Sequence, residues 1–386
     1  MCNTEIGYFC SNREDWLETL SAPPFCLNIK RDGKYVMFSY DQLESDFNLR
    51  IVREARGIIF ENGKWENPVC WAFNKFGNYG ESYADEIDWD TAWVTEKIDG
   101  SLIKVWWDGR WYVSTNGTID ASKAELGDIK MPNFMTYFLD TLINYYDPYP
   151  EFFDQLDQNL TYMFELVGPY NRVVIPYKKP ELYFLGARNK FTGEEFRSTA
   201  IIAGALGLSK FKRPTLYPLN SLSECIKVTE DFSWDQEGFV VCDAQFNRVK
   251  IKSPAYVLAH FMRNNNVITR KHLIRIVLLN EVEEFICYAA DYKEELLKVQ
   301  KLMNLYHTLG NKMAATCRKA NSLSRAKYAE LVKTFPEIFQ SILYFNYNRT
   351  DANPFTAEAF TKNWNENKWD KYIAAVEKLR DELLGG

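Results

Sequence analysis

The sequence predicts an α+β chain: an antiparallel-sheet-rich part, residues 1–254, followed by an all-helical part, residues 255–386. Three observations lead there. Short apolar runs broken by Asn-Gly and Asp-Gly turns dominate as far as Ile251, helical spacing of apolar side chains takes over after Pro254, and the charge changes sign at the same place. Residues 1–254 carry 27 basic and 37 acidic side chains, a net of −10, whereas residues 255–386 carry 19 and 15, a net of +4. A chain of 386 residues is long enough for two domains. A mildly positive helical part beside an acidic body suits a polyanion partner, although ordinary solvated helix faces account for the charge equally well.

The elements follow in order. Asp32-Gly33, between the apolar triplet Phe25-Cys26-Leu27 and the run 35–40, is a hairpin turn. Residues 57–60 form a strand that Asn62-Gly63 folds back onto residues 69–73. The acidic stretch 85–90 is a loop before a strand that ends at Lys97. Asp108-Gly109 closes a second hairpin between residues 103–107 and 111–115. Phe134, Tyr137, Phe138, Leu142 and Tyr145 recur at helical spacing. Residues 162–167 form an apolar strand holding one carboxylate, Glu165, which needs a partner or a watery edge. Residues 173–175 and 182–185 continue the sheet, and residues 200–206 form a helix.

The last sheet element is a hairpin, 238–242 and 248–252, with a five-residue loop. Lys250 and Lys252 are two apart and share one face, while Val249 and Ile251 take the other. If Cys242 pairs with Arg248, Lys252 lies opposite Gly238, and a one-residue slip or bulge brings Glu237 to the lysine face. The sequence leaves that register open. Beyond Pro254, Leu296, Val299, Leu302, Met303, Tyr306 and Leu309 mark one helix, and Trp369, Tyr372, Ile373, Val376 and Leu379 another. Asn353-Pro354 is a cap with a first-turn proline.

Composition excludes several classes. The eight cysteines contain no C-x-x-C pair, so free thiols in a reducing compartment are expected rather than a disulfide frame or a zinc site. No segment approaches the ~20 apolar residues of a membrane span. Residues 1–15 lack the basic start and apolar core of a secretory signal, so a cytoplasmic protein without membrane contact is expected; the expected oligomeric state is a monomer.

Two K-x-D-G sequences occur. Lys30-Arg31-Asp32-Gly33 reads as the hairpin turn above, whereas Lys97-Ile98-Asp99-Gly100 sits where one strand ends and another begins, so that Lys97 can reach out of a sheet into a cleft. A lysine that attacks an electrophile must first be neutral, yet its ordinary pKa is about 10.4. Nearby cations such as Lys250, Lys252, an arginine or Mg²⁺ oppose its charge and also hold a polyphosphate. There is no G-x-x-x-x-G-K-[ST] loop to do so. The three histidines, His260, His272 and His307, all fall in the helical part, which leaves the first part without a histidine base.

Lys97-Ile-Asp-Gly100, Phe164-Glu165, Phe184-Leu-Gly-Ala-Arg188, Glu237-Gly238 and Lys250-Ile-Lys252 resemble, in order and rough spacing, the nucleotidyltransferase motifs of ATP-dependent ligases and capping enzymes. The chain looks most like the phage RNA ligase 1 family. Phe38-Ser39-Tyr40, Ala55-Arg56-Gly57-Ile58, Lys75-Phe76, Asn171-Arg172, Lys252-Ser253 and Tyr256-Val257 extend the resemblance over residues 35–257.

It implies a nucleotidyltransferase, or ATP-grasp-like ligase, domain before the helical part, and an ATP-dependent RNA ligase acting in RNA repair, tRNA included, in the host cytoplasm if phage-encoded. Single-stranded or broken RNA is then the partner, and ATP and Mg²⁺ the cofactors. Lys97 becomes the nucleophile that takes AMP. Lys250 and Lys252 face the α-phosphate, and Arg56 and Lys75 the outer phosphates. Tyr40, Glu165 and Glu96 contact the nucleoside, and Glu237 binds Mg²⁺ or acts at the sealing steps. Glu284, in the acidic cluster of Glu281, Glu283 and Glu284, is a second metal candidate.

The chain departs from the family's best-known members after the Lys97 hairpin. Where they place lysines it has Ser114-Thr115-Asn116-Gly117, and Asn116 brings no charge toward an RNA 5′-phosphate. The competing readings are a ligase for DNA or nicked duplex, against which the absence of a β-rich OB domain speaks, and an inactive nucleic-acid-binding protein on the same scaffold.

Overall fold

The computed structural model describes residues 2–262, 268, 270–319, 324–345, 347, 355 and 378. The helix expected from Trp369 to Leu379 and the cap at Asn353-Pro354 lie outside them. The chain divides into two units, Met1–Arg263 and Asn264–Gly386.

Strands enter the first unit in chain order as β1 (Asn28–Asp32), β2 (Tyr35–Ser39), β3 (Arg56–Glu61), β4 (Trp93–Glu96), β5 (Ser101–Trp107), β6 (Trp111–Thr115), β7 (Leu160–Val167), β8 (Glu181–Asn189), β9 (Glu195–Arg197), β10 (Leu216–Tyr217), β11 (Gly238–Cys242) and β12 (Arg248–Lys252). They form three antiparallel sheets, ordered β1-β2-β3, β10-β4-β11-β12 and β6-β5-β7-β8-β9. The α+β expectation and its antiparallel bias are met. Both expected Asp-Gly hairpins form, with Asp32 opposite Tyr35 and Trp107 opposite Trp111.

Each sheet buries its apolar face by the strand period. Met37 and Ile59 pack with Trp106 between the first and third sheets. The third sheet's Ile103, Tyr162, Phe164 and Phe184 meet Phe138 and Phe152 from the helices Phe134–Leu142 and Pro150–Asp154. Val94, Val241, Val249 and Ile251 of the second sheet close on Cys225 of the helix Leu222–Glu230.

Two expected strands are absent, for one reason: side chains have taken over their backbone groups. Residues 69–73 touch β3 only through a bridge between Ile59 and Cys70. Beyond it Trp71 N donates to Thr161 Oγ1 at 3.0 Å, and Ala72 O accepts from Arg188 Nη1 at 3.1 Å. Residues 173–175 form a loop because the Val174 and Ile175 amides donate to Asp99 Oδ2, at 3.0 and 2.7 Å. The division between units also falls beyond the expected 254/255. The helix Pro254–Met262 belongs to the first unit, where Tyr256 and Val257 are buried and Tyr256 OH donates to Asp99 Oδ1 at 2.8 Å.

Among the described residues no strand follows Lys252. The second unit contains the helices Arg270–Leu278, Val282–Tyr288, Lys293–Lys319, Arg325–Lys333 and Glu337–Phe345. The 27-residue helix buries Leu296, Val299, Leu302, Met303 and Tyr306 as the spacing requires, and Tyr306 stacks on Phe339 with ring centroids 4.9 Å apart. His307 beside it is pushed down to about 4 by burial, which suits a core residue rather than a base. No helix among the described residues is long and apolar enough to cross a membrane.

The β11–β12 register depends on Gly238. Its φ is +136°, and a Cβ there would stand 2.1 Å from Ile251 O and 2.7 Å from Lys252 Cα. Gly238→Ala is therefore expected to cost at least about 2 kcal/mol, from backbone strain and a collision with the partner strand. Urea unfolding of the two proteins measures it.

Candidate active site

The second sheet presents one side-chain face to a cleft of about 320 Å³. Along β4 the residues facing it are Trp93 and Thr95, and the next in phase is Lys97, just past the strand end. Ladder pairing sets Val240 opposite Thr95 and Cys242 opposite Trp93, while across β11 Lys252 faces Gly238, Lys250 faces Val240 and Arg248 faces Cys242. Lys97, Lys250 and Lys252 therefore share one face, as alternation requires, while Val249 and Ile251 point into the core. The register is the unslipped one.

Glu237 reaches the lysines without a slip because it precedes the strand. Its carbonyl accepts from Ser253 N at 2.8 Å, and the positive φ of Gly238 turns the chain so that Glu237 Oε1 meets Lys97 Nζ at 2.7 Å. Lys97 is 21% exposed and Glu237 5%. Burial raises the Glu237 pKa, with Lys97 and Lys252 pulling it back. Its second oxygen, Oε2, is buried without a hydrogen-bond partner.

The first and third sheets supply the opposite wall. Arg56 begins β3 and lines the cleft, with its guanidinium 5.3 Å from the Phe76 ring and Nη1 buried and unpartnered. Lys75 stands in a cage of rings, 4.4 Å from Phe47, 4.7 Å from Tyr40 and 5.7 Å from Tyr83. Such contacts hold an ammonium in place without neutralising it. Lys250 Nζ lies 5.4 Å from the same Phe76 ring.

Glu165, on β7, projects into the cleft from the third sheet. Burial pushes its carboxyl up to about 8; the positive charge of Lys97 acts against this and the negative charge of Glu237 with it. Burial thus favours its protonated form, which can donate a hydrogen bond. Glu96 lines the rim, with Oε2 accepting from Thr215 N at 3.3 Å. Asn116 also lines the cleft and keeps Oδ1 buried without a partner.

Of the residues named from sequence, Lys97, Tyr40, Arg56, Lys75, Glu96, Glu165, Lys250 and Lys252 line this one cleft, and Glu237 touches it through Lys97. Glu284 lies half-buried on the helix Val282–Tyr288 of the second unit. No group of three or more metal-binding side chains occurs among the described residues. Lys30 of the other K-x-D-G is exposed on β1, with Nζ donating to Gly117 O at 2.7 Å.

Sequence reading missed Arg197, whose guanidinium lies 3.1 Å from the Trp93 ring centroid at the far end of the cleft, and Arg248 beside it, paired with Glu195 at 2.6 Å. A three-residue strand is too short for alternation to reveal Arg197. Altogether seven cations line the cleft against Glu96, Glu165 and the ion-pair partners Glu237 and Glu195, which leaves its lining net positive.

Comparison with known proteins agrees with this chemistry. A family model described as RNA ligase matches residues 54–256, just over half of the chain. The chain is 27% identical over 318 residues to a protein of Autographa californica nuclear polyhedrosis virus with the provisional name bifunctional polynucleotide kinase/RNA ligase. That match covers 78% of this chain but 44% of the viral protein, so this chain spans less than half its length. It is 25% identical over 344 residues to an RNA ligase of Rhodothermus phage RM378, covering 74% of this chain and 76% of the phage protein. Among solved structures an archaeal ATP-dependent RNA ligase is similar with a TM-score of 0.43 and 14% identity, over 74% of each chain.

The raised Glu165 pKa has a sign that can be checked. An unfolded glutamate ionises near 4.5 and the folded one near 8, so between these values the folded state holds the extra proton and its stability falls as pH rises. The Glu165 contribution to melting temperature should decline from about pH 5 to pH 8 and then level. Glu165→Gln, which cannot ionise, should decline less over the same window.

Proposed function

We propose that this chain, which belongs to the RNA ligase family, joins RNA 3′-hydroxyl and 5′-phosphate ends in an ATP-dependent reaction through lysyl-AMP and RNA-adenylate intermediates. The observation that carries the reading is the arrangement of Lys97, Lys250 and Lys252 on one sheet face, with Glu237 hydrogen-bonded to Lys97 at 2.7 Å. A lysine nucleophile needs a proton acceptor and a stabilised leaving group, and this face offers both. Glu237, its carboxylate made more basic by burial, takes the Lys97 proton. Lys97 Nζ then attacks the α-phosphorus of ATP, so that an N–P bond forms as the bond to the bridging oxygen breaks and pyrophosphate leaves. Lys250 and Lys252 stabilise the charge that develops on the phosphoryl oxygens.

In the second step an RNA 5′-phosphate oxygen attacks the same phosphorus and releases Lys97. In the third, a 3′-hydroxyl oxygen attacks the RNA phosphorus, AMP leaves, and the phosphodiester is complete. Arg56 and Lys75, opposite the lysine face, take the outer phosphates. The buried unpartnered Arg56 Nη1 supports a bound anion there. Tyr40, Glu96 and Glu165 bind the nucleoside, with protonated Glu165 a donor to it.

The residues also fit a Mg²⁺ ion, since Glu237 Oε2 is buried and unpartnered and this metal commonly takes one or two carboxylates with water and phosphate oxygens. Held there, the ion would supply charge neutralisation on the phosphates. We assign this site to Glu237.

We assign the choice of RNA to the helical second unit. Its sequence carries the positive net charge, and phosphate contacts supply affinity that weakens with salt.

Labelled ATP tests the assignment of the nucleophile. Lys97→Ala should abolish transfer of AMP to the protein, while Lys30→Ala leaves it nearly intact. Lys250→Ala and Lys252→Ala should each slow it by roughly 10²–10³-fold. Label persisting on the Lys97 variant rejects the mechanism. A sealing assay on single-stranded RNA, single-stranded DNA and nicked duplex tests the substrate class, and preference for either DNA substrate rejects it. A chain ending at Arg263 should still form lysyl-AMP but lose preference among RNAs and show a shallower salt dependence of RNA binding.

A further inference from the structure

Lys104, on β5, is fully buried, which is rare for a lysine outside an ion pair. Its Nζ donates to Gly57 O, and no carboxylate among the described residues pairs with it. Gly57 is the extra residue of a bulge in β3: Ile58 pairs with Phe38 and Arg56 with Ser39, which leaves Gly57 between them at φ +73°. A bulge of this kind re-aims the neighbouring side chain. Here that neighbour is Arg56.

The space around the bulge is closed. A Cβ on Gly57 would stand 2.6 Å from Lys104 Nζ and 2.8 Å from Asn116 O. Asn116 O in turn accepts from Ser39 Oγ at 3.2 Å, and Lys30 Nζ holds the next carbonyl, that of Gly117. The bulge of β3 and the turn after β6 are thus pinned together, and each presents one buried unpartnered polar atom, Arg56 Nη1 and Asn116 Oδ1, on a residue lining the cleft.

We infer that Lys104 is a positioning residue: from beneath the sheet it fixes the Gly57 bulge, and so aims Arg56 at the outer phosphates of ATP without touching the ligand itself. This rests on the nucleotide-binding reading of the cleft. Burying an ammonium without a counter-charge is costly, and a neutral side chain would fill the same space more cheaply. Burial lowers the Lys104 pKa, with Cys70 acting against this and the nearby Arg56 charge with it. When ATP is bound its negative charge relieves the repulsion between Arg56 and Lys104.

The test is calorimetric ATP binding in the full-length Lys97→Ala background, where no covalent step consumes the nucleotide. Lys104→Met, near in shape but without charge or donor, should weaken binding roughly tenfold while melting cooperatively. Lys104→Gln, which retains a neutral donor, should lose less. On top of Arg56→Ala, Lys104→Met should have no further effect, because a residue acting only through Arg56 has nothing left to aim.

Equal losses with and without Arg56 would mark general structural damage and overturn the inference, as would unchanged affinity in folded Lys104→Met. Failure of both Lys104 variants to fold would make the residue structural and overturn it too. Absence of ATP binding with Lys104 and Arg56 both intact would strike at the nucleotide site itself, a different failure.

Discussion

Asp99 is the carboxylate on which the geometry around Lys97 depends. The four residues 97–100 lie between the end of β4 in one sheet and the start of β5 in another, and only the bond from Lys97 N to Gly238 O at 2.8 Å carries a ladder into them. Asp99 fixes them further, with one oxygen accepting from Tyr256 OH and the other from the amides of Val174 and Ile175. It is 4% exposed, so these charge-assisted bonds form where water does not compete. One side chain thereby ties together the lysine loop, the β7–β8 connection and the first helix after the last strand. The chain can place Lys97 at a junction of two sheets, open to a cleft, because its neighbour is held from three directions.

Electrostatics in the cleft follow from its unequal charge count. Seven cations converge on a volume of about 320 Å³, and while Lys97 and Arg248 are ion-paired with Glu237 and Glu195, several of the others are held by aromatic rings. Aromatic rings surround Lys75, Phe76 lies against both Arg56 and Lys250, and Trp93 carries Arg197. Ring faces attract cations without supplying the negative charge that would compete with a polyphosphate. Burial favours the neutral form of Glu165, and Glu237 is engaged with Lys97. The cleft therefore keeps its net attraction for an anion, at a cost that the surrounding core, rich in Phe, Tyr and Trp, offsets.

Much of this was legible in the sequence, and the reason is period and turn chemistry. Asp32-Gly33 and Asp108-Gly109 close the hairpins that carry β1–β2 and β5–β6, and alternation alone sets Lys250 and Lys252 on one face with Val249 and Ile251 on the other. The helical spacing of Leu296 to Tyr306 gives a buried stripe. Each of these is a local rule, satisfied within a few residues. The sequence motifs themselves named eight of the residues that line the cleft.

Only the tertiary structure decided the rest, because it turns on partners far apart in the chain. Residues 69–73 and 173–175 have strand-like composition, yet Thr161, Arg188 and Asp99 take their backbone groups, a competition that no local pattern reveals. Glu237 meets Lys97 because Gly238 adopts a positive φ, in a hairpin whose Val241, Val249 and Ile251 pack with Cys225 of the helix Leu222–Glu230. Lys104 reads as an ordinary strand lysine until Gly57, nearly fifty positions earlier, places its carbonyl above the ammonium. The sequence by itself determined the elements, the faces of the strands and the residue types able to do the chemistry. Folding decided which backbone groups and charges share one space, since hydrogen bonds and Coulomb forces act across distance in space, whatever the separation along the chain.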